Sequence, residues 1–344
     1  MSEGPLSALL IGTATQRIEK DRSGLDDIPQ VAENLTALHR VLTSPAGLFP
    51  QGSVEMILNP DKPQDVYDAV DRRPKRGTLL CYYSGHGIAA DYRLCLALPN
   101  SIDRPLLQRA TSLPVSALLE QLAVGSRKVI LILDCCYAGL AFQEQYAAQV
   151  HMITAVGKSY KAKFNNGDIH TVFTGALLSA LREGIADGTR HVTLESIFRY
   201  ARQVLLSAKD PELTPHQRSY DDSAGFRVAP NPAFEETLTP GGLLARRKLA
   251  LEAGFTGDVR WAAELAAALA VDAARSPSID PQGRFHCGVL AAAFRGQAGD
   301  PQEAVRLLEQ LLAGNLAEMR PRDVQGAYAS LATWRAATTT MNSG

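Results

Sequence analysis

The chain is 344 residues long, 46% hydrophobic and 21% charged, with a formal net charge of −1. That is a globular mixture, and at roughly 100 to 200 residues per domain it predicts two domains. Near-neutrality excludes a global basic field, and with it nucleic acid or an anionic membrane as the expected partner.

In chain order, "LSALLIG" (Leu6–Gly12) reads as a buried strand and "PQVAENLTALHRVLT" as a helix, with Val31, Leu35, Leu38 and Leu42 at helical spacing. "SVEMILN" is a second strand, and "PQDVYDAV" opens a helix with Pro63 near its first turn. "GTLLCYYSG" (Gly77–Gly85) is a third strand and "YRLCLALP" a fourth apolar run, ahead of the helix "LPVSALLEQLAVG". "RKVILILD" is a fifth, β-branched run and "VHMITAV" a sixth. The helices "FTGALLSALREG" and "LESIFRYARQVLLSA" and the segment "GFRVAPN" complete the region. Strands interleaved with helices of this length predict an α/β domain: a mostly parallel, six-stranded sheet flanked by helices.

Around residue 230 the composition changes. "APNPAFEETLTPGG" reads as a linker and places the boundary between residues 1–234 and 235–344. Beyond it the chain is rich in Ala and Leu and carries no strand signal. "GDVRWAAELAAALA" and "GDPQEAVRLLEQLLA" share Gly-Asp and one helical face, Ala262 with Ala304, Leu265 with Leu307 and Leu269 with Leu311. Asp300, Pro301 and Glu303 predict an N-cap, a first-turn proline and the carboxylate of a capping box. The tail is expected to be a smaller all-α domain of packed hairpins, loosely like a tetratricopeptide array.

The five cysteines, Cys81, Cys95, Cys135, Cys136 and Cys287, form no C-x-x-C pair and no regular framework. With no membrane-length apolar run and no basic leader, the expectation is a cytoplasmic protein. His39, His151, His170, His191 and His216 lack a motif partner and read as structural.

His86 stands between two glycines in "YYSGHGIAA", after the third strand. Gly85 to Ala90 formally fit G-x-G-x-x-A, but a dinucleotide fingerprint opens a helix and the chain runs on through "DYRLCLALP", which alternates like a strand. Cys81, His86 and Cys95 have spacings that suit no common zinc arrangement. A third reading joins His86 to the cysteines of "VILILDCCYAG". Both follow C-terminal ends of parallel strands, the edge on which α/β sheets build sites. A thiol is only a few per cent thiolate at neutral pH, so an imidazole beside it is needed to favour the thiolate and later to protonate a leaving amine.

"YYSGHG" followed fifty residues later by "ILDCCYAG" resembles the caspase and metacaspase cysteine peptidases, the prokaryotic members especially. The resemblance covers about residues 5 to 230. It implies a caspase-like fold and a cysteine endopeptidase acting on protein or peptide substrates in bacterial defence or regulated cell death. By the pattern D-x-C-x-x-G it implies Cys136 as nucleophile, between Asp134 and Gly139. His86 becomes the general acid/base, and the N–H groups of Gly87 and Cys136 the oxyanion hole. Cys135, being adjacent, is expected to point the other way and be buried. Asp134 is implied in the P1 pocket, leaning the preference toward arginine or lysine, while Lys158, Lys161 and Lys163 stand against a basic P1 residue. No cofactor or metal is expected, and the tail is expected to dock a regulatory protein. The alternative is a catalytically silent scaffold that binds partners through that tail.

Overall fold

The computed structural model describes residues 4–44, 47–157, 168–207 and 214–341. These form two compact units, Met1–Glu183 with His191–Pro232, and Gly184–Arg190 with Ala233–Gly344. The second thus includes a short stretch, 184–190, that the composition change at residue 230 does not mark.

The first unit begins with strand β1 (Leu6–Gly12), helix α1 (Lys20–Ser23) and helix α2 (Gln30–Leu42), whose predicted face, Val31, Leu35, Leu38 and Leu42, is buried. Strand β2 (Val54–Leu58) and helix α3 (Pro63–Arg72) follow, the latter opening on Pro63 with the Asp65 carboxylate accepting from the Asp61 and Lys62 N–H groups. Strand β3 (Thr78–Ser84) leads into a hairpin of β4 (Gly87–Ala90) and β5 (Arg93–Leu96). After α4 (Gln108–Thr111) and β6 (Leu113–Pro114) come α5 (Val115–Leu122) and β7 (Lys128–Asp134). Two 3-10 turns (Ala138–Gln143 and Gln145–Gln149) precede β8 (His151–Thr154) and α6 (Val172–Arg182). The unit closes with β9 (His191–Thr193), α7 (Leu194–Ser207), β10 (His216–Arg218) and β11 (Arg227–Pro230).

The main sheet has six strands in the order β10-β8-β7-β3-β1-β2, all parallel except the edge strand β10, so it is mixed and mostly parallel. Its inner strands β1, β3 and β7 are buried on both faces, which is why they read as unbroken apolar runs. Leu9, Leu10 and Ile11 are fully buried, each contributing about 1.5–3 kcal/mol. Helices α2, α6 and α7 cover one face, where Leu38, Leu177 and Ile197 meet Leu10, Tyr82 and Ile132.

One expectation fails here. The fourth apolar run, expected in the main sheet, instead joins β4 and β6 in a separate three-stranded sheet, and the sixth position is taken by β10. The segment "GFRVAPN" pairs with β9 in a two-stranded sheet of its own. The hairpin went unread because its two-residue turn, Asp91-Tyr92, lacks the usual Asn-Gly. Both residues nonetheless take positive φ, 50° and 60°, as a type I′ turn requires.

The second unit contains helices α8 (Pro240–Phe255), α9 (Val259–Arg275), α10 (Pro281–Gln297), α11 (Pro301–Leu312) and α12 (Pro321–Met341), each packed on the next. Helices α9 and α11 repeat one device, an Asp N-cap (Asp258, Asp300) accepting from the N–H three residues on. The apolar face that they share is buried most completely at Ala262 and Ala304. Only half of the predicted capping box forms: the Glu303 carboxylate turns to Arg306, and the Asp300 N–H is taken by the Arg295 carbonyl. Among the described residues no helix is long and apolar enough to cross a membrane.

Candidate functional site

β3 and β7 lie side by side and run in register from Thr78 opposite Lys128 to Ser84 opposite Asp134. The Gly85 N–H then donates to the Asp134 carbonyl at 3.3 Å, so pairing continues past the last matched residues. His86 and Cys136 each stand two residues beyond that matched pair. The next residue, Gly87, presses against the Cys136 peptide: a Cβ there would stand 1.9 Å from the Cys136 carbonyl oxygen and 3.2 Å from the Cys135 Sγ. No residue larger than glycine fits. The main chains of Gly87 and Cys136, expected to supply the two oxyanion donors, therefore touch.

The order β2-β1-β3 reverses direction at β1, so the crevice of an open α/β sheet opens between the segments that leave β1 and β3. His86 sits in it. Its Nε2 lies 2.7 Å from the main-chain carbonyl of Asp26, in the connection that follows β1. A carbonyl only accepts, so Nε2 carries the proton and the neutral ring keeps Nδ1 as its base. Burial holds the His86 ring below its ordinary value, against the opposing pull of the Asp26 carbonyl and the Asp26, Asp103 and Asp27 carboxylates. The imidazole is therefore neutral at pH 7.

The surroundings fix that ring's main chain. The Tyr83 hydroxyl donates to the His86 and Ala97 carbonyls at 3.0 and 2.8 Å, the Ala97 N–H donates to His86, and the Thr13 hydroxyl donates to Ala97. Leu25, next to Asp26, is buried with Ile88, Ala90 and Cys95 of the hairpin. Sequence reasoning found neither Asp26 nor Tyr83. A main-chain carbonyl in an irregular connection carries no residue-type signal, and Tyr83 reads as core.

The two cysteines differ as expected of neighbours. Cys135 is fully buried, and burial pushes its thiol well above the ordinary range, whereas Cys136 is half-buried. Cys81 and Cys95 are buried thiols pushed up to about 12 and about 11, which keeps them protonated. Beyond Cys136, Tyr137 is left-handed at φ 56° and leads into the first 3-10 turn.

Asp134, implied in the P1 pocket, is only 3% exposed. Its carboxylate accepts from the Thr171 and Thr174 hydroxyls at the start of α6, on the face where Asn34 bonds Ser84 and Thr171. Burial raises its affinity for a proton, opposed by hydrogen bonds from Thr171, Thr174 and Tyr82. Among the described residues it pairs with no cation. The structure thus gives Asp134 a role in tying α6 to the strand that carries Cys136, which the motif alone did not reveal. Lys158, Lys161 and Lys163 lie outside the described residues.

No known protein family matches the chain by sequence, and no curated protein does. Among solved structures it is similar to a protein of Geobacter sulfurreducens, at 13% identity and a TM-score of 0.44 over 65% of this chain and 98% of that one. It is similar to Raptor of Chaetomium thermophilum at 13% identity and a TM-score of 0.40, over 97% of this chain and 37% of that one. A third likeness is to kinesin light chain TPR-like repeats from Podosopora anserina, at 16% identity and a TM-score of 0.28, over 50% of this chain and 67% of that one.

Proposed function

We propose that the first unit is a caspase-like cysteine endopeptidase. One observation carries the reading: His86 and Cys136 leave adjacent parallel strands at equal distances past a matched pair, and their main chains converge at Gly87. The sequence resemblance to caspases and metacaspases adds the order and spacing of the two motifs.

In this reading Nδ1 of His86 takes the thiol proton of Cys136. The sulfur attacks the scissile carbonyl carbon, and the electron pair of the C=O bond moves to the oxygen, held by the N–H groups of Gly87 and Cys136. When the C–N bond breaks, the Nδ1 proton goes to the leaving amine. Water, deprotonated by the same nitrogen, then attacks the thioester carbon; the C–S bond breaks and the Nδ1 proton returns to the Cys136 sulfur. Throughout, the Asp26 carbonyl holds Nε2–H and keeps the ring in one orientation and one tautomer.

A basic P1 residue is what the resemblance implies for Asp134, whose carboxylate is 3% exposed and bonded to the Thr171 and Thr174 hydroxyls in this structure. Cleavage of a second protein in defence or regulated cell death is the role that the resemblance implies. The helical unit then serves to dock a regulator. A silent scaffold is the second reading, drawing on exposed apolar side chains of that unit such as Leu244 and Phe255.

The test is labelling of the full chain with a peptide electrophile, alongside fluorogenic peptides carrying Arg, Lys, Asp or Leu at P1. Labelling lost in Cys136→Ala and in His86→Ala but kept in Cys135→Ala supports the peptidase. Absence of reaction in the unaltered chain supports the scaffold. Asp outrunning Arg removes the role of Asp134 in P1 recognition.

A further inference from the structure

A cleft of about 940 Å³ opens beside the candidate site, within the size range of ligand sites. It is lined by Ala89 and Ala90 of β4, the strand that continues from His86, and by Tyr137, the residue after Cys136. His86 and Cys136 are not among its lining residues, but both chain segments that carry them run directly into it.

Its rim is unusual in its backbone. Six described residues other than glycine have positive φ, and four of them, Asp91, Tyr92, Leu106 and Tyr137, line this cleft. Left-handed backbone is disfavoured for side chains larger than Asn or Asp, and such strain gathers at functional sites. Two of the four are also large, apolar and almost wholly in water: Tyr92 is 88% and Leu106 is 96% exposed. Neither side chain is buried in the folded chain, and glycine or asparagine would hold the same backbone with less strain. The positive φ of Asp91 and Tyr92 belongs to the hairpin turn; what a ligand over the rim accounts for is the exposure of Tyr92 and Leu106.

We infer that this cleft is the subsite for the leaving side of the substrate, and that it selects a large apolar residue, leucine or phenylalanine, at the first or second position after the scissile bond. The inference rests on the peptidase reading above. His86 must protonate the leaving amine, so that half of the substrate departs past His86, along the strand that forms the cleft wall. Tyr92 and Leu106 then close on the apolar side chain from the rim and remove it, and themselves, from water.

Internally quenched peptides with a common Arg at P1 and Leu, Phe, Gly, Asp or Lys at each of the next two positions test it on the full chain. We expect kcat/KM to be about tenfold higher for Leu or Phe than for Gly at one of those positions, the lower end of what an apolar pocket discriminates. The ratio of the Leu peptide to the Gly peptide is expected to fall toward one in the double variant Tyr92→Ser, Leu106→Ser. Cleavage with a flat panel overturns the inference and leaves the peptidase standing, as does a preference that survives in the double variant. No cleavage of any peptide, together with no labelling of Cys136 by the electrophile, overturns both.

Discussion

The α-carbon of Gly87 rests against the carbonyl of Cys136, so that a single methyl group on it would stand 1.9 Å from the oxygen. This contact joins the loop that carries the imidazole to the loop that carries the thiol. Gly87→Ala must push them apart by about an ångström, and a shift of that size costs on the order of 100-fold in rate. Overpacking of this kind also destabilises by about 1–3 kcal/mol. Peptide turnover and thermal unfolding of the same variant check the two effects, and near-wild-type turnover would mean that the loops are not coupled.

His86 predicts the acid limb of activity. The neutral ring is the base, and it is lost as pH falls through the folded value, which burial keeps below the ordinary 6.5. The acid limb of kcat/KM should accordingly have its midpoint below 6.5, as a property of the His86–Cys136 pair. The Asp103 carboxylate pulls the ring the other way, so Asp103→Asn should move that limb to still lower pH. A profile measured between pH 4.5 and 8 reads both.

Asp134 predicts a stability that depends on pH in the opposite sense. Its folded value is raised, so the folded chain takes up that proton before the unfolded chain does, and stability from this group falls as pH rises. The Thr171 hydroxyl lowers the value by donating to the carboxylate. Thr171→Val removes that donor and is expected to cost about 1–3 kcal/mol at pH 7, with part of the deficit recovered by pH 4.5. Urea unfolding at the two pH values tests this, and an equal deficit at both would show that the carboxylate does not feel the threonine.

His151 behaves as a buried neutral histidine. Its Nδ1 lies 2.8 Å from the Ser223 hydroxyl and its Nε2 3.0 Å from the Gln217 amide, and burial lowers its value to about 4. The unfolded chain binds this proton from about 6.5 downward while the folded chain resists until about 4. Stability should fall across that window by up to roughly 3 kcal/mol, and His151→Gln should flatten the fall. Denaturant midpoints from pH 7 to 4 compare the two proteins.

Cys135 tests the opposite expectation from Cys136. Its thiol is fully buried, so Cys135→Ala should lower stability by about 1 kcal/mol while peptide turnover persists. Loss of turnover with an unchanged unfolding midpoint would reverse the assignment of the two sulfurs.

The amino-acid order by itself determined what is local. Unbroken apolar runs specify strands buried on both faces, and β1, β3 and β7 lie where those runs do. The spacing of Val31, Leu35, Leu38 and Leu42 specifies one helix face, and that face is buried. Glycines around His86, and a cysteine pair after a β-branched run, were enough to nominate residues at the ends of two strands. Tertiary structure alone decided which strands became neighbours, because register is set by pairing across long loops and not by any residue's own preference. It assigned the Arg93–Leu96 run to a small separate sheet and gave the sixth place to β10, a three-residue strand held by its partner rather than by its composition. It also turned Asp134 into the interior against Thr171 and Thr174, and set the Asp26 carbonyl on His86. That last contact involves a main-chain atom, which every residue possesses, so only the folded path of the chain selects it.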